Sequence, residues 1–143
     1  MRDNAGFYTL KGYALSEKKG VTSSMEDYLE MICRLHAQKE VVRVGRLSRL
    51  LHVKPSSASK MVGNLVSRGL AAFEKYGYIT PTADGAELGG YLIFRHDVLH
   101  RLLCYINDSA DELEQVEKIE HFIDAKTVYN IDRLMKHIDF KFS

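Results

Sequence analysis

The sequence predicts a mainly α-helical chain interrupted once by a short β-hairpin, and three observations predict it. Apolar residues recur at i, i+3, i+4 along most of the stretch from Met25 to Ile138, the period of amphipathic helices. That period breaks only around "AAFEKYGYIT", where two β-type runs flank Tyr76-Gly77. The charges are also unevenly placed. Residues 34–80 carry nine Lys/Arg against two acids, and residues 81–143 carry seven against twelve, so a net charge of +1 conceals two opposed halves.

In chain order, residues 1–23 contain Gly6, Gly12, Gly20, the charged "SEKKG" and the aromatics Phe7, Tyr8 and Tyr13, and read as an irregular extension. Ser24 is expected to cap a first helix whose stripe is Met25, Tyr28, Leu29, Ile32 and His36. A second helix spans about Gly45 to His52. A third opens at Pro55, a first-turn position where the missing N–H costs nothing, and Ala58, Met61, Val62 and Leu65 are spaced to face a core. The hairpin follows, with runs Ala71 to Lys75 and Tyr78 to Thr80. A long helix covers about Thr82 to Ile106, and after the acidic loop "NDSADE" two more cover Leu113 to Ile123 and Thr127 to Ile138. The chain divides into an extension (1–23), a first domain (24–85) and an all-helical second domain (86–143).

Composition narrows the class. With 143 residues and 45% hydrophobic content there is material for a packed core. No run approaches the roughly 18 apolar residues of a membrane span. The polar start "MRDNAGFYTL" lacks the apolar region of a secretory signal. Cys33 and Cys104 are isolated, which suits buried thiols in a reducing cytoplasm.

Helix, short turn, helix and hairpin make a winged helix-turn-helix, and its place in the basic segment points to double-stranded DNA as partner. Outward on the third helix are Ser56, Ser57, Ser59, Lys60 and Asn64, short hydroxyls and longer donors suited to phosphates and base edges. Arg46, Arg49, Lys54 and Pro55 flank it, and Lys75 and Tyr76 mark the tip of the wing. A solvated basic face is the bland alternative; the adjoining hairpin and the charge excess together favour DNA.

The acidic half raises a second question at "VEKIEHF". Glu117, Glu120 and His121 project from one face if the segment is helical, with Val116, Ile119, Phe122 and Ile123 on another. His96 lies in "FRHDVL", and Asp27 and Glu30 lie one turn apart on the first helix, turned away from its apolar stripe. Carboxylates and imidazoles without thiolates suit Mn²⁺ or Fe²⁺ better than a structural zinc site. Spacing alone leaves Asp27 open as a capping-box partner of Ser24, Glu30 as an exposed acid and His96 as a core histidine.

Here the residues carry a resemblance. "SMEDYLEMI", "LLHVKPSSASKMVGNL", "FEKYGYITPTADG", "FRHDVLHRLL" and "VEKIEHF", in order from Ser24 to Phe122, resemble the iron- and manganese-dependent repressor family (DtxR/MntR), most of all its manganese-type branch. The resemblance implies a winged helix followed by a helical dimerisation domain, with a two-metal site where they meet. It implies the ligands Asp27, Glu30, His96, Glu117, Glu120 and His121; the iron-type branch has a methionine in place of Asp27 and a sulfur ligand in place of Glu117. It further implies a cytoplasmic homodimer that binds a palindromic operator and represses metal-uptake genes when Mn²⁺ (or Fe²⁺) is bound, with no membrane and no small organic substrate. Larger members append an SH3-like domain, for which a chain ending at Ser143 is expected to have no room.

The sequence departs from the pattern at Gly45-Arg46, where a serine followed by an acid is common, and in its longer extension. The last helix, "AKTVYNIDRLMKHIDFKFS", lacks a close match. Surplus apolar residues at Leu92, Val98, Leu99, Leu102, Leu103 and Ile106, and at Leu113, Val116, Ile119 and Ile123, point to dimer contacts. Two alternatives differ in class: a winged-helix regulator with a non-metal effector, and a dimetal carboxylate enzyme. The enzyme is disfavoured because Glu117 stands four residues from His121, not the three of a di-iron Glu-x-x-His pair, and no second copy exists.

Overall fold

The computed structural model describes residues 12–142, and of 139–142 the backbone alone. The order is α1 (12–19), α2 (Ser23–Ala37), α3 (Val44–Leu50), α4 (Pro55–Ser67), β1 (Ala71–Phe73), β2 (Ile79–Pro81), α5 (Ala83–Asn107), α6 (Leu113–Ile119) and α7 (Ala125–Phe142). Two 3₁₀ turns, Lys75–Gly77 and Glu120–Phe122, interrupt it. The described part is thus mainly helical with one two-stranded wing, as the periodicity predicts. None of its helices is long and apolar enough to cross a membrane.

The extension is not irregular throughout. Helix α1 docks on α5: a Cβ at Gly12 would lie 2.5 Å from Tyr91 Cβ, and the Tyr13 ring meets Tyr91 edge-on at 5.9 Å. A helix this short is marginal alone and is held by tertiary contact, which explains its weak sequence signal. Phe7, Tyr8 and the rest of 1–11 lie outside the described residues.

Helix α2 starts earlier than expected because Thr22, not Ser24, is its cap, with Thr22 Oγ1 accepting from Met25 N at 3.3 Å. Its buried face holds Met25, Tyr28, Leu29 and Ile32, while His36 is exposed and does not extend the stripe. Helix α3 starts at Val44 with Arg43 as its cap, so Gly45-Arg46 lies inside the first turn. The link to α4 turns through His52 in the left-handed region (φ 55°), and Ser48 Oγ donates to Val53 O at 2.7 Å. Pro55 opens α4, whose Ala58, Val62 and Leu65 are fully buried; Met61 is only partly so.

The wing is antiparallel, pairing Ala71 with Pro81, Ala72 with Thr80 and Phe73 with Ile79. Its strands are shorter than the β-type runs because Tyr76 (φ 64°) and Gly77 (φ 79°) turn the chain through a left-handed tip. Ile79 N donates to Val42 O at 2.9 Å, which fastens the wing to the segment before α3.

Helix α5 joins the two halves. Thr82 caps it by accepting from Gly85 N at 3.0 Å, while its hydroxyl donates to Gly69 O. A side chain at Gly85 would collide with the Leu70 carbonyl, and one at Gly89 with Cys33. These glycines let α5 lie close against Leu70 and α2, and Leu88, Tyr91 and Leu92 enter the same core as α2 and α4. Farther along, α5 packs against α6 and α7, where Val98, Leu99, Val116, Val128 and Met135 are buried.

Beyond α6 the expected continuous helix does not form. The α-helix ends at Ile119, and residues Glu120–Phe122 tighten into a 3₁₀ turn. Phe122 is 85% exposed and does not continue the apolar face of Val116.

Candidate metal centre and nucleic-acid face

Three elements converge between the halves: α2 with Glu26, Asp27 and Glu30, α5 with Arg95 and His96, and the 3₁₀ turn with Glu120 and His121. Among the described residues, two trios could hold a cation, Asp27–Glu120–His121 and Glu30–His96–Glu120, each with donor atoms within 4.8 Å of one another. In the first, His121 Nε2 lies 3.0 Å from Asp27 Oδ1 and 3.9 Å from Glu120 Oε1. In the second, His96 Nδ1 lies 2.9 Å from Glu120 Oε2 and 3.9 Å from Glu30 Oε2. Glu120 belongs to both, one oxygen to each, and is only 3% exposed.

Five of the six expected ligands therefore meet. Glu117 lines the same cleft, a cavity of about 450 Å³, but is exposed and belongs to neither trio. The single helical face expected for Glu117, Glu120 and His121 is broken by the 3₁₀ turn, which rotates the last two inward. Asp27 is not a capping-box partner, since Thr22 caps α2 and Asp27 faces His121.

The electrostatics show a site short of positive charge. Burial, then the nearby Glu120, raises the Glu30 carboxyl above its usual range. The hydrogen bond that the His96 imidazole makes to the Glu120 carboxylate raises its pKa against the opposing effect of burial. His121 is pushed up to about 9, first by its hydrogen bond to Asp27 and then by that to Glu26. The surrounding oxygen anions favour the charged form of both imidazoles, and a divalent cation satisfies the same demand. An oxygen-rich donor set with two imidazoles thus fits a metal ion.

Sequence reasoning missed three charged residues here. Glu26 and Arg95 are buried and paired (Arg95 Nη2–Glu26 Oε1, 3.3 Å), and Arg34 Nε donates to Glu30 Oε2 at 3.1 Å. A signal existed for Arg95: it falls one turn beyond Tyr91 and Leu92 on the buried side of α5, where a charge needs a partner.

Helix α4 leaves Ser56, Ser57, Ser59 and Lys60 exposed and Asn64 half-buried. Arg49, Lys54 and Pro55 are exposed beside them, as are Lys75 and Tyr76 at the wing tip, where Lys75 Nζ stands 5.6 Å from the Tyr76 ring centre. Arg46 is half-buried and paired with Glu40 Oε2 at 2.7 Å. Arg43, stacked 4.6 Å over Tyr78, adds a cation that motif reading overlooked.

Comparison with known proteins agrees with this layout. Residues 20–79 match the family model described as iron dependent repressor, N-terminal DNA binding domain. The chain is 34% identical over 119 residues to the HTH-type transcriptional regulator MntR of Bacillus subtilis (strain 168), covering 82% of this chain and 84% of that one. It is 37% identical over 116 residues to the MntR of Lysinibacillus sphaericus (strain C3-41), with 80% and 84% covered. In fold it is similar to the manganese regulator SloR, with a TM-score of 0.71 at 23% identity, covering 78% of this chain and 53% of SloR, about half its length. Fold, site and relatives define a metal-dependent, DNA-binding transcriptional regulator and not an enzyme. The chain belongs to the iron- and manganese-dependent repressor family (DtxR/MntR).

Proposed function

We propose that this regulator responds to manganese and, as a cytoplasmic homodimer on a palindromic operator, represses metal-uptake genes. The observation that carries the reading is Glu120, buried and shared between two ligand trios drawn from α2, α5 and the 3₁₀ turn. Asp27, Glu120 and His121 hold one cation and Glu30, His96 and Glu120 a second, with Glu117 at the mouth of the cleft. Their oxygen-rich chemistry favours Mn²⁺, with Fe²⁺ as the near competitor. A bound divalent cation supplies the positive charge that the clustered carboxylates lack.

Asp27 and Glu30 belong to the DNA-reading half, and the other ligands to the helical half. Joining them ties α2 to the 3₁₀ turn and narrows the arrangements open to α4. DNA that selects the same arrangement must in turn tighten metal binding. Ser56, Ser57, Ser59, Lys60 and Asn64 enter the major groove, while Arg46, Arg49, Lys54, Pro55, Lys75 and Tyr76 meet the backbone. Exposed Tyr105, Ile106, Leu113 and Leu134 support a second copy on the helical half. In that dimer the two α4 helices lie about 34 Å apart, one turn of DNA.

The test is DNA affinity measured against free Mn²⁺, Fe²⁺, Zn²⁺ and chelator, repeated with Glu120→Ala. Operator binding that rises with Mn²⁺ in the wild type and stays flat in the variant supports the reading. Binding indifferent to metal and chelator favours a winged-helix regulator with another effector.

A further inference from the structure

We propose that Glu26 is a positioning residue of the metal centre, holding His121 by Nδ1 so that Nε2 faces Asp27 and Glu120. The proposal rests on the reading that Asp27, Glu120 and His121 bind a divalent cation. Glu26 Oε1 lies 2.8 Å from His121 Nδ1, while Nε2, on the opposite edge of the ring, lies 3.0 Å from Asp27 Oδ1. An imidazole that coordinates through one nitrogen needs its other N–H engaged, and a carboxylate is the strongest acceptor for it.

Glu26 is itself held from two sides. Arg95 Nη2 reaches the same oxygen at 3.3 Å, and Ser16 Oγ of α1 donates to Oε2 at 3.3 Å. Both Glu26 and Arg95 are buried, 8% and 4% exposed. With both oxygens engaged, Glu26 is an orienting group and not a further ligand. The short approach of Arg95 to His121 Nδ1, 3.3 Å, follows from their sharing one acceptor. The contact with Ser16 also gives the N-terminal extension a place in the switch, as a backing to the carboxylate that sets the imidazole.

The experiment is Mn²⁺ binding to the full chain, followed by the electron paramagnetic resonance signal of the free ion, for wild type, Glu26→Gln, Glu26→Leu and Glu120→Ala. Circular dichroism checks that each metal-free variant is folded. Glu26→Leu is expected to weaken Mn²⁺ binding about 10- to 100-fold, and Glu26→Gln, which keeps an acceptor oxygen, by less. In the Co²⁺-loaded protein the exchangeable Nδ1–H resonance of His121 is expected in the wild type and absent in Glu26→Leu. If Glu26→Leu does not fold, Glu26→Gln decides. Variants at Glu26 that bind Mn²⁺ as tightly as the wild type, while Glu120→Ala does not, overturn the positioning role and leave the metal site standing. A wild type that binds no Mn²⁺ overturns the site itself.

Discussion

His121 and Asp27, separated by most of the described chain, meet at 3.0 Å between Nε2 and Oδ1. One comes from the 3₁₀ turn after α6 and the other from the second turn of α2, so this contact joins segments far apart in the chain. Hydrogen bonds to Asp27 and then to Glu26 push the His121 imidazole up to about 9.

The His121 proton sets a pH dependence with opposite signs for stability and metal binding. The folded-state value of about 9 lies above the ordinary 6.5, so the contribution to stability is complete below 6.5 and lost as pH rises through 9. Metal-free protein should therefore melt at a lower temperature at pH 9.5 than at pH 6.5. Metal binding must displace the same proton, so Mn²⁺ affinity should climb over that window, on the order of tenfold per pH unit at most. In Asp27→Asn, which removes the largest cause of the shift, the metal-free melting curve should depend less on pH. Melting temperatures that are level across the range in the wild type would count against the linkage.

Glu117 and Glu120 should separate in a metal titration. Glu120 touches both trios and is buried, whereas Glu117 stands exposed at the cleft. Glu120→Ala is expected to remove most Mn²⁺ affinity, and Glu117→Ala a smaller part. Equal losses would show that the α6 helix rewinds on metal binding and brings Glu117 onto the ion.

Helix α5 depends on the absent side chains of Gly85 and Gly89. Gly85→Ala forces a methyl group into the Leu70 carbonyl and should destabilise by about 3 kcal/mol or more. Gly90→Ala meets nothing within 4 Å and should be neutral or stabilising by about 0.5–1 kcal/mol, as alanine favours a helix. Chemical denaturation of the two variants makes the comparison, and similar midpoints would contradict the tight packing of α5 on Leu70.

Arg46 should act on DNA through charge, restrained by Glu40 at 2.7 Å. Arg46→Glu is expected to weaken operator binding and lower the slope of log affinity against log salt by about one. Glu40→Gln frees the guanidinium and should tighten binding. Fluorescence anisotropy at several salt concentrations reads both, and a Glu40→Gln variant with weaker binding would mean that the pair holds Arg46 in its working position.

The helical periods, the hairpin break and the basic and acidic halves were legible in the sequence because they are local: side chains that recur every third or fourth position must share a face, whatever surrounds them. The same locality made Pro55 and the α4 core residues plain. That Asp27, Glu30, His96, Glu120 and His121 would meet was legible only through the family resemblance, since spacing alone left Asp27, Glu30 and His96 open to structural readings. Three-dimensional packing decided the rest. The 3₁₀ turn at Glu120, the docking of α1 on Tyr91, and the Glu26–Arg95 pair behind His121 each depend on residues far apart in the chain. No periodicity encodes such contacts, because burial of a charge or the tightening of a helix end is favourable only when a distant partner is already in place.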